Sequence, residues 1–275
     1  MSIYSHYRSG LWHPYEKPMY GVLLNPYHPL AHGLIGCWLF NEGGGNAVFD
    51  LSGFMNHGTI NGATWTTGKF GSALSFNGSS DYAEVPNTDS LNPDAITVAS
   101  WAKIPSFYGS GNDPLIDKAY TSHTDPYYQY HLGVTGHEYS SNQGKYRFQV
   151  SVGGTLYSAD STDTYDSDKW NFFVGTYDGE TIRLYRNGVL IASNTDPSGS
   201  MDTYSTNLFI AKYRNLDDKL PADIALIYIY ERALRPEEIW QLYTDPFCMF
   251  YHPLEAELLY AAPAAVGRSY GYIIG

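Results

Sequence analysis

The segment Trp170–Ser193, WNFFVGTYDGETIRLYRNGVLIAS, contains three short apolar runs separated by two tight-turn signals. The turn signals are the dipeptides Asp178-Gly179 and Asn187-Gly188. Asn, Asp and Gly readily adopt the positive φ that two-residue hairpin turns require. The runs between them are rich in aromatic and β-branched residues, which favour strands. The segment therefore predicts three consecutive antiparallel strands.

Two stretches N-terminal to this segment alternate apolar and polar residues. In YYQYHLGV, residues 127–134, the side chains of Tyr128, Tyr130 and Leu132 fall on one side of a strand. In KYRFQVSV, residues 145–152, aromatic residues and valines alternate with Arg, Gln and Ser. Because alternation with period 2 is typical of half-buried strands, both stretches predict strands with one face in a core.

Helical spacing is confined to one short segment, RPEEIWQLY at residues 235–243. A proline suits its first turn, and Ile239 and Leu242 are spaced to dock on one side. The chain has 275 residues, of which 43% are hydrophobic and 16% charged, enough apolar material for one large core. We predict one all-β domain, a two-sheet antiparallel sandwich with one short C-terminal helix.

The charge and hydropathy of the chain exclude several classes of function. The net charge is −12 and no cluster of Lys and Arg is present, so we expect no nucleic-acid partner. No run of 18 apolar residues occurs, so we expect no membrane span. The opening MSIYSHYRSGLWHPYEKP lacks the apolar region of a signal peptide, so we expect no signal peptide.

Several motifs, taken in order, resemble a known superfamily. They are GLIGCWLFNEGGGNAVFDLSGFMNHGTINGATW, GKFGSALSFNGSSDYAEVP, ITVASWAK, WNFFVGTYDGETIRLYRNGVLIA and ADIALIYIYERALRPEEIWQLY. Together they are similar to the concanavalin A-like lectin/glucanase superfamily in its laminin-G-like form. The resemblance implies a jelly-roll sandwich over about residues 33–243. Residues 1–32 would then form an N-terminal arm and residues 244–275 an extended C-terminal arm.

The resemblance also implies a structural calcium ion at the edge of the sandwich. Asp50 and Asn56 match the DxSGxxN loop that contributes ligands in the family. The usual carboxylate of the last strand falls at Ala225, so Asp223, two residues earlier on the same strand face, would have to replace it. Calcium requires six or more oxygens, of which these residues supply only a part. The alternative is that Asp50 caps its own turn.

The resemblance further implies a shallow concave sheet whose outward side chains could meet a sugar or a neighbouring protein. The polar residues that alternate with core positions are the candidates for ligand binding. They are Gln129, His131, Arg147 and Gln149, with Tyr127 as a stacking ring. The alternative is that they form the solvated face of an antiparallel sheet.

We predict no catalytic residues. Relatives that hydrolyse glycosides need two carboxylates, and their E-x-D-x-x-E strand motif is not found here. The motifs G-x-S-x-G and H-E-x-x-H are also missing from the sequence. The acidic stretch ADSTDTYDSDKW, residues 159–170, lacks the glycine and the distal glutamate of an EF-hand and is interpreted as a solvated loop.

Four further residues carry structural expectations. Trp101 and Trp170 are predicted to point inward and anchor the sandwich. Cys37 and Cys248 lack metal-ligand spacing. They are either two buried thiols or a bridge between the two ends of the domain.

The two arms are dense in aromatic residues, with six before Gly33 and six after Asp245. Rings at this density are unfavourable in water, so the arms should pack on their own sandwich or on another subunit. The stretch HPLAHGLIGCWLFNEGGGN, residues 28–46, also resembles laminin-G-like proteins of tailed bacteriophages.

These features favour a non-catalytic structural assembly protein, a phage capsid-decoration or tail component, with glycan binding as an additional expected ability. Its partners would be copies of itself or other virion proteins, contacted through the arms, and its location a virion or other extracellular assembly. The alternative is a soluble carbohydrate-binding lectin module whose arms fold back on the domain.

Overall fold

A computed structural model describes residues 16–105, 112–119, 124–136, 144–213 and 219–251. Within these ranges the chain forms sixteen strands and one α-helix. They are β1 (Leu34–Trp38), β2 (Ala47–Val48), β3 (Gly58–Asn61), β4 (Thr64–Gly68), β5 (Gly71–Asn77), β6 (Tyr82–Val85), β7 (Ile96–Lys103), β8 (Asn112–Ala119), β9 (Tyr128–Thr135), β10 (Lys145–Val152), β11 (Thr155–Thr164), β12 (Trp170–Tyr177), β13 (Ile182–Arg186), β14 (Val189–Asn194), β15 (Leu208–Ile210), β16 (Pro221–Tyr230) and α1 (Pro236–Thr244).

The strands form two antiparallel sheets of eight strands each. Sheet 1 has the order β14-β13-β12-β7-β16-β5-β4, and β1 also pairs with β16. Sheet 2 has the order β11-β10-β9-β8-β15-β6-β3-β2. Consecutive strands pair as hairpins, and crossovers such as β12-β7, β7-β16 and β8-β15 join strands distant in sequence, as in a jelly roll. The predicted all-β, two-sheet jelly-roll sandwich is therefore confirmed.

The two predicted hairpin turns connect β12 to β13 and β13 to β14. Gly179 has φ 97° in the first turn, and Asn187 and Gly188 have φ 52° and 81° in the second. Two consecutive residues with positive φ match the right-handed twist of the flanking strands. The predicted helix is present as α1, whose Ile239 and Leu242 are fully buried.

The main core lies between the two sheets. Its members mostly alternate along a strand, but on β16 a register shift between Ile224 and Leu226 separates Ile224 from Ile227 and Ile229. Four other side chains of β16 are also fully buried, in the cluster on the outer face of sheet 1: Ala225, Leu226, Tyr228 and Tyr230. This strand is therefore nearly all apolar because both of its faces are covered.

A second apolar cluster covers the outer face of sheet 1, beneath α1 and both arms. Trp101 belongs to this cluster, where its ring stacks on Phe172 and Tyr243 at centroid distances of 5.5 and 5.6 Å. Trp170 packs against the same cluster and is only partly buried. Trp101 is thus a buried core residue as predicted, but neither tryptophan points between the two sheets, because sequence alternation cannot distinguish the inner from a covered outer face. Phe173 of β12 packs in the main core instead.

The described parts of the two arms pack on their own sandwich and on each other. Leu24 and Phe250 form an antiparallel bridge, and the backbone N–H of Asn25 donates to the carbonyl of Met249 at 2.8 Å. Leu30 is buried with these residues in the cluster on sheet 1. The other arm residues, 1–15 and 252–275, lie outside the described residues.

Both cysteines are free thiols, Cys37 buried and Cys248 partly buried. Burial raises the pKa of Cys37 well above its usual range and that of Cys248 to about 12. Among the described residues, no helix has the length and hydropathy needed to cross a membrane.

Candidate functional site

The predicted ligand-binding side chains lie together on the outer face of sheet 2, on β9 and β10. Gln149 is the cross-strand partner of His131, and Gln129 lies two residues before His131 on β9. Arg147 lies two residues before Gln149 on β10. Tyr130, between Gln129 and His131, points into the main core. The alternation in the sequence therefore placed these polar residues on one face correctly.

This face is covered, contrary to the expectation that it is solvated. Five of its polar residues on β9 and β10 are at most 8% exposed: Gln129, His131, Arg147, Gln149 and Ser151. Residues 201–207, in the connection between β14 and β15, lie across it. The backbone N–H of Tyr204 donates to Oε1 of Gln129 at 3.2 Å, and the hydroxyls of Tyr204 and Ser151 are 3.4 Å apart. The long connection returns over the sheet, a contact that strand periodicity does not encode.

His131 is the most deeply buried polar residue of the cluster. Its Nδ1 lies 3.1 Å from Oδ1 of Asp117 on β8, and its ring packs on Tyr128 with centroids 4.7 Å apart. Burial, and then the positive charge of Arg147, lower the pKa of His131 to about 3. The imidazole is therefore neutral at pH 7, and a neutral imidazole that donates from Nδ1 to a carboxylate leaves Nε2 as an acceptor.

Three atoms of the predicted ligand-binding residues are buried and have no hydrogen-bond partner among the described residues. They are Nε2 of Gln129, Nε2 of His131 and Oε1 of Gln149. The first is a donor, the third is an acceptor, and the second accepts in the tautomer described above. Each unpaired buried polar atom costs about 1–3 kcal/mol, so three on neighbouring strands call for a polar group between them.

The side chain of Arg147 is paired with an aspartate of the neighbouring strand and not with the unpartnered atoms. Its Nε and Nη2 donate to the two carboxylate oxygens of Asp160 on β11, at 2.7 and 2.6 Å. Further along the same acidic stretch, Asp166 pairs with Arg186 at 3.4 Å. The interpretation of residues 159–170 as a solvated loop was therefore wrong over β11, because cross-strand pairing supplies an arginine opposite Asp160.

Tyr127 lies at the margin of the cluster and is 37% exposed. Its backbone has φ 60°, the left-handed region that is unfavourable for a bulky side chain. Strained residues of this kind persist where the surrounding structure holds them, often at binding sites. Its ring centroid is 6.5 Å from that of Tyr128, which in turn contacts His131.

The sequence reasoning missed two residues of this face, Asp117 and Tyr204, and also Lys118, which lies opposite Tyr130 and therefore on the inner side of sheet 2. Asp117 contacts His131, and Tyr204 bonds to Gln129 as described above. The Nζ of Lys118 donates to Oδ1 of Asn92 at 2.8 Å and to the carbonyl of Tyr204. Asp117 and Lys118 were hidden because a register shift interrupts the alternation of β8. Tyr204 lies in a loop, and no sequence signal places it on the sheet.

The side chains of the first two predicted calcium ligands, Asp50 and Asn56, are hydrogen-bonded to protein groups. Oδ1 of Asp50 accepts from the backbone N–H groups of Cys37 and Ser52, and Oδ2 accepts from the Ser52 hydroxyl and the backbone N–H of Asn56. The Asn56 Oδ1 accepts from Thr88, and its Nδ2 donates to the carbonyl of Ile35. Both side chains are thus occupied by protein donors and acceptors.

The third predicted ligand, Asp223, lies apart from this loop. It forms an ion pair with Lys103 at 2.7 Å, on the part of β16 that pairs with Ser75 of β5. The described ranges hold no group of three or more His, Cys, Asp or Glu side chains that could bind a metal. In this arrangement the three residues do not fit a calcium ion, which needs six to eight free oxygen ligands. Calcium binding stays a prediction for measurement.

A laminin-G sequence model of the concanavalin A-like lectin/glucanases superfamily matches residues 77–240, more than half of the chain. The chain belongs to this superfamily. No curated protein sequence matches this concanavalin A-like chain.

Several solved structures share its concanavalin A-like fold. The binding domain of paraclostridial mosquitocidal protein 1 has a TM-score of 0.64 and 16% identity, covering 80% of this chain and 53% of that one. Domain 4 of the GH43 extracellular arabinanase AbnA from Geobacillus stearothermophilus, in complex with arabinotriose, has a TM-score of 0.61 and 18% identity, covering 76% and 97%.

The ligand-binding domain of botulinum neurotoxin serotype D, in complex with N-acetylneuraminic acid, has a TM-score of 0.59 and 16% identity, covering 78% and 51%. This chain thus spans about half the length of the two toxin domains and nearly all of the arabinanase domain. At these identities the likeness concerns the fold.

Proposed function

We propose that this protein is a non-catalytic carbohydrate-binding module whose site is the outer face of sheet 2. The observation that carries the proposal is the group of three unpartnered, buried polar atoms on Gln129, His131 and Gln149. A sugar hydroxyl both donates and accepts, so neighbouring hydroxyls of one glycan match a site with a donor beside acceptors. A few convergent polar groups beside aromatic rings are typical of ligand sites.

The surroundings of the three atoms fit this role. Tyr127 offers an exposed ring at the margin, and Tyr128 continues the aromatic surface towards His131. A sugar reaches the buried atoms by displacing the segment 201–207, which bonds to Gln129 through Tyr204. Two solved structures of the same fold contain arabinotriose and N-acetylneuraminic acid, which supports a glycan as the ligand class.

The test is titration calorimetry of the full chain with arabinotriose and with N-acetylneuraminic acid, preceded by a glycan array that selects further probes. We expect Gln129→Ala and Gln149→Ala to weaken binding about tenfold each, since a lost hydrogen bond in a buried site is worth about 1.4 kcal/mol. Gln241→Ala, on α1 at the other side of the molecule, is the matched control and should bind as the wild type does. No binding on the array, or equal binding by all variants, would contradict the proposal.

The absence of catalysis is part of the proposal and has its own readout. Any glycan that binds is incubated with the protein and the release of reducing sugar is followed. We expect none. Release that disappears in Asp117→Asn would show that the carboxyl beside His131 takes part in hydrolysis.

A second candidate function is assembly through the arms, including the virion role and location expected from the sequence. The supporting observation is that Met19, Tyr20 and Tyr27 of the N-terminal arm are 65%, 60% and 89% exposed. Large apolar side chains exposed together favour a partner surface. Sedimentation of the full chain should show oligomers that the double variant Tyr20→Ser/Tyr27→Ser shifts towards monomer. A monomeric wild type at high concentration would remove this candidate.

A further inference from the structure

Lys17 inserts its side chain into the edge of the sandwich from the N-terminal arm. Its backbone N–H donates to the carbonyl of Phe70 at 2.8 Å, and Nδ2 of Asn41 donates to the carbonyl of Pro18 at 3.0 Å. These bonds fix the arm on both sides of the lysine. Although lysines are rarely buried, Lys17 is only 8% exposed.

The ammonium of Lys17 is surrounded by three backbone carbonyl oxygens from separate parts of the fold. Nζ donates to the carbonyl of Phe40 at 3.5 Å, to that of Ala225 at 2.6 Å and to that of Ser72. Phe40 follows β1, Ser72 lies on β5, and Ala225 lies on β16. An ammonium has three N–H donors and no acceptor, so its valence matches this set of oxygens. We refer to these three oxygens as the carbonyl cage.

The backbone is strained where it contributes to the cage. Phe40 has φ 51° although it is bulky and fully buried, and its carbonyl oxygen also accepts from the hydroxyl of Ser72. Such a conformation costs of order 1 kcal/mol and persists where surrounding contacts hold it. The cage is therefore a built feature of the fold.

A negative charge lies near the cage. The carboxylate of Glu42 raises the pKa of Lys17, against the larger effect of burial, which lowers it to about 7. Lys17 in turn lowers the pKa of Glu42, against the larger opposite effect of burial. Oε1 of Glu42 accepts from the backbone N–H of Phe49 at 2.7 Å, and its Oε2 is buried with no hydrogen-bond partner in the described part of the chain. Carbonyl oxygens and a nearby carboxylate are the donor set that hard cations prefer.

We propose that the carbonyl cage is a cation site filled by the chain's own Lys17, whose ammonium serves there as the structural cation. With the ammonium in place the cage takes up no metal ion. The lysine also joins the N-terminal arm to the segment after β1 and to strands β5 and β16.

The test is the melting temperature of the full chain at pH 6, where Lys17 is protonated, with EGTA or with millimolar calcium chloride. Lys17→Ala removes the guest and leaves the cage open, whereas Lys17→Met removes the charge but keeps an apolar chain in the space. We expect both variants to melt about 4–10 °C below the wild type, since three buried carbonyls lose their donors. Calcium should recover at least half of this loss in Lys17→Ala and little of it in Lys17→Met.

Lys69→Ala is the matched control, since the ammonium of this lysine lies over the ring of Trp101, outside the carbonyl cage. Its melting temperature should be close to that of the wild type and should not change when calcium is added. Titration calorimetry should detect calcium binding to Lys17→Ala that the wild type lacks. An unchanged melting temperature of Lys17→Ala, no recovery with calcium, or equal calcium binding by the wild type would each overturn the proposal.

Discussion

At the scale of single residues, this domain satisfies charges with its own backbone. Asp50 accepts three hydrogen bonds from its own loop and one from β1, and Lys17 donates to three carbonyls. In both cases a buried charge is matched by several dipoles of fixed position, which lowers the free-energy penalty of its burial. Such residues hold loops and arms against the sandwich.

The first prediction concerns Asp50. We expect Asp50→Ala to lower the free energy of unfolding by about 3 kcal/mol, because four donors lose one buried carboxylate. The loss should be the same with EGTA and with calcium, as measured by urea denaturation. Asp223→Ala is the control and should cost less than about 1 kcal/mol, since its ion pair with Lys103 is partly exposed. Calcium that stabilises the wild type but not Asp50→Ala would instead establish Asp50 as a calcium ligand.

At the scale of elements, the two sheets are in close contact where a glycine of one sheet faces an aromatic ring of the other. A Cβ on Gly175 of β12 would lie 2.1 Å from the ring of Phe148 on β10. The glycine therefore makes room for a large side chain of the opposite sheet, and core packing is intolerant of added volume at such a point.

The second prediction follows from this contact. Gly175→Ala should lower the free energy of unfolding by about 2–3 kcal/mol, because the added methyl group forces Phe148 or the sheet to move. Gly44→Ala is the matched control, since nothing lies within 4 Å of a Cβ there and its φ is not in the left-handed region. It should change stability by less than about 0.5 kcal/mol. Equal melting temperatures of the two variants would contradict the packing described here.

At the scale of the whole molecule, the arms complete the fold. Leu30, Phe247, Met249 and Phe250 cover the outer face of sheet 1, together with α1. A buried apolar side chain contributes about 1.5–3 kcal/mol, so these four account for roughly 10 kcal/mol, comparable to the total stability of a typical domain. We therefore expect residues 33–243 alone to be much less stable than the full chain.

The third prediction is that a chain reduced to residues 33–243 melts far below the full chain or aggregates, because the cluster on sheet 1 becomes exposed. Circular dichroism melts and sedimentation of the two proteins provide the measurement. Tyr27→Ala in the full chain is the control, since this ring is 89% exposed and its removal should leave the melting temperature unchanged. A truncated protein that is monomeric and has the same melting temperature as the full chain would show that the arms do not stabilise the sandwich.

The sequence by itself determined the strands β9, β10 and β12 to β14, the two hairpin turns at Gly179 and Asn187-Gly188, and the helix α1. Each of these depends on local rules: side chains alternate in a strand, positive φ selects Asn and Gly, and apolar residues repeat along a helix. The same alternation placed Gln129, His131 and Gln149 on one face.

Only the tertiary structure decided what covers each face and what each charge contacts. Residues 201–207 bury the polar face of sheet 2, and both arms bury the outer face of sheet 1. The contact of Lys17 with Ala225 spans 208 positions of the chain. Periodicity assigns a side chain to a face, but a contact between distant segments depends on how the whole chain packs, which no local pattern records.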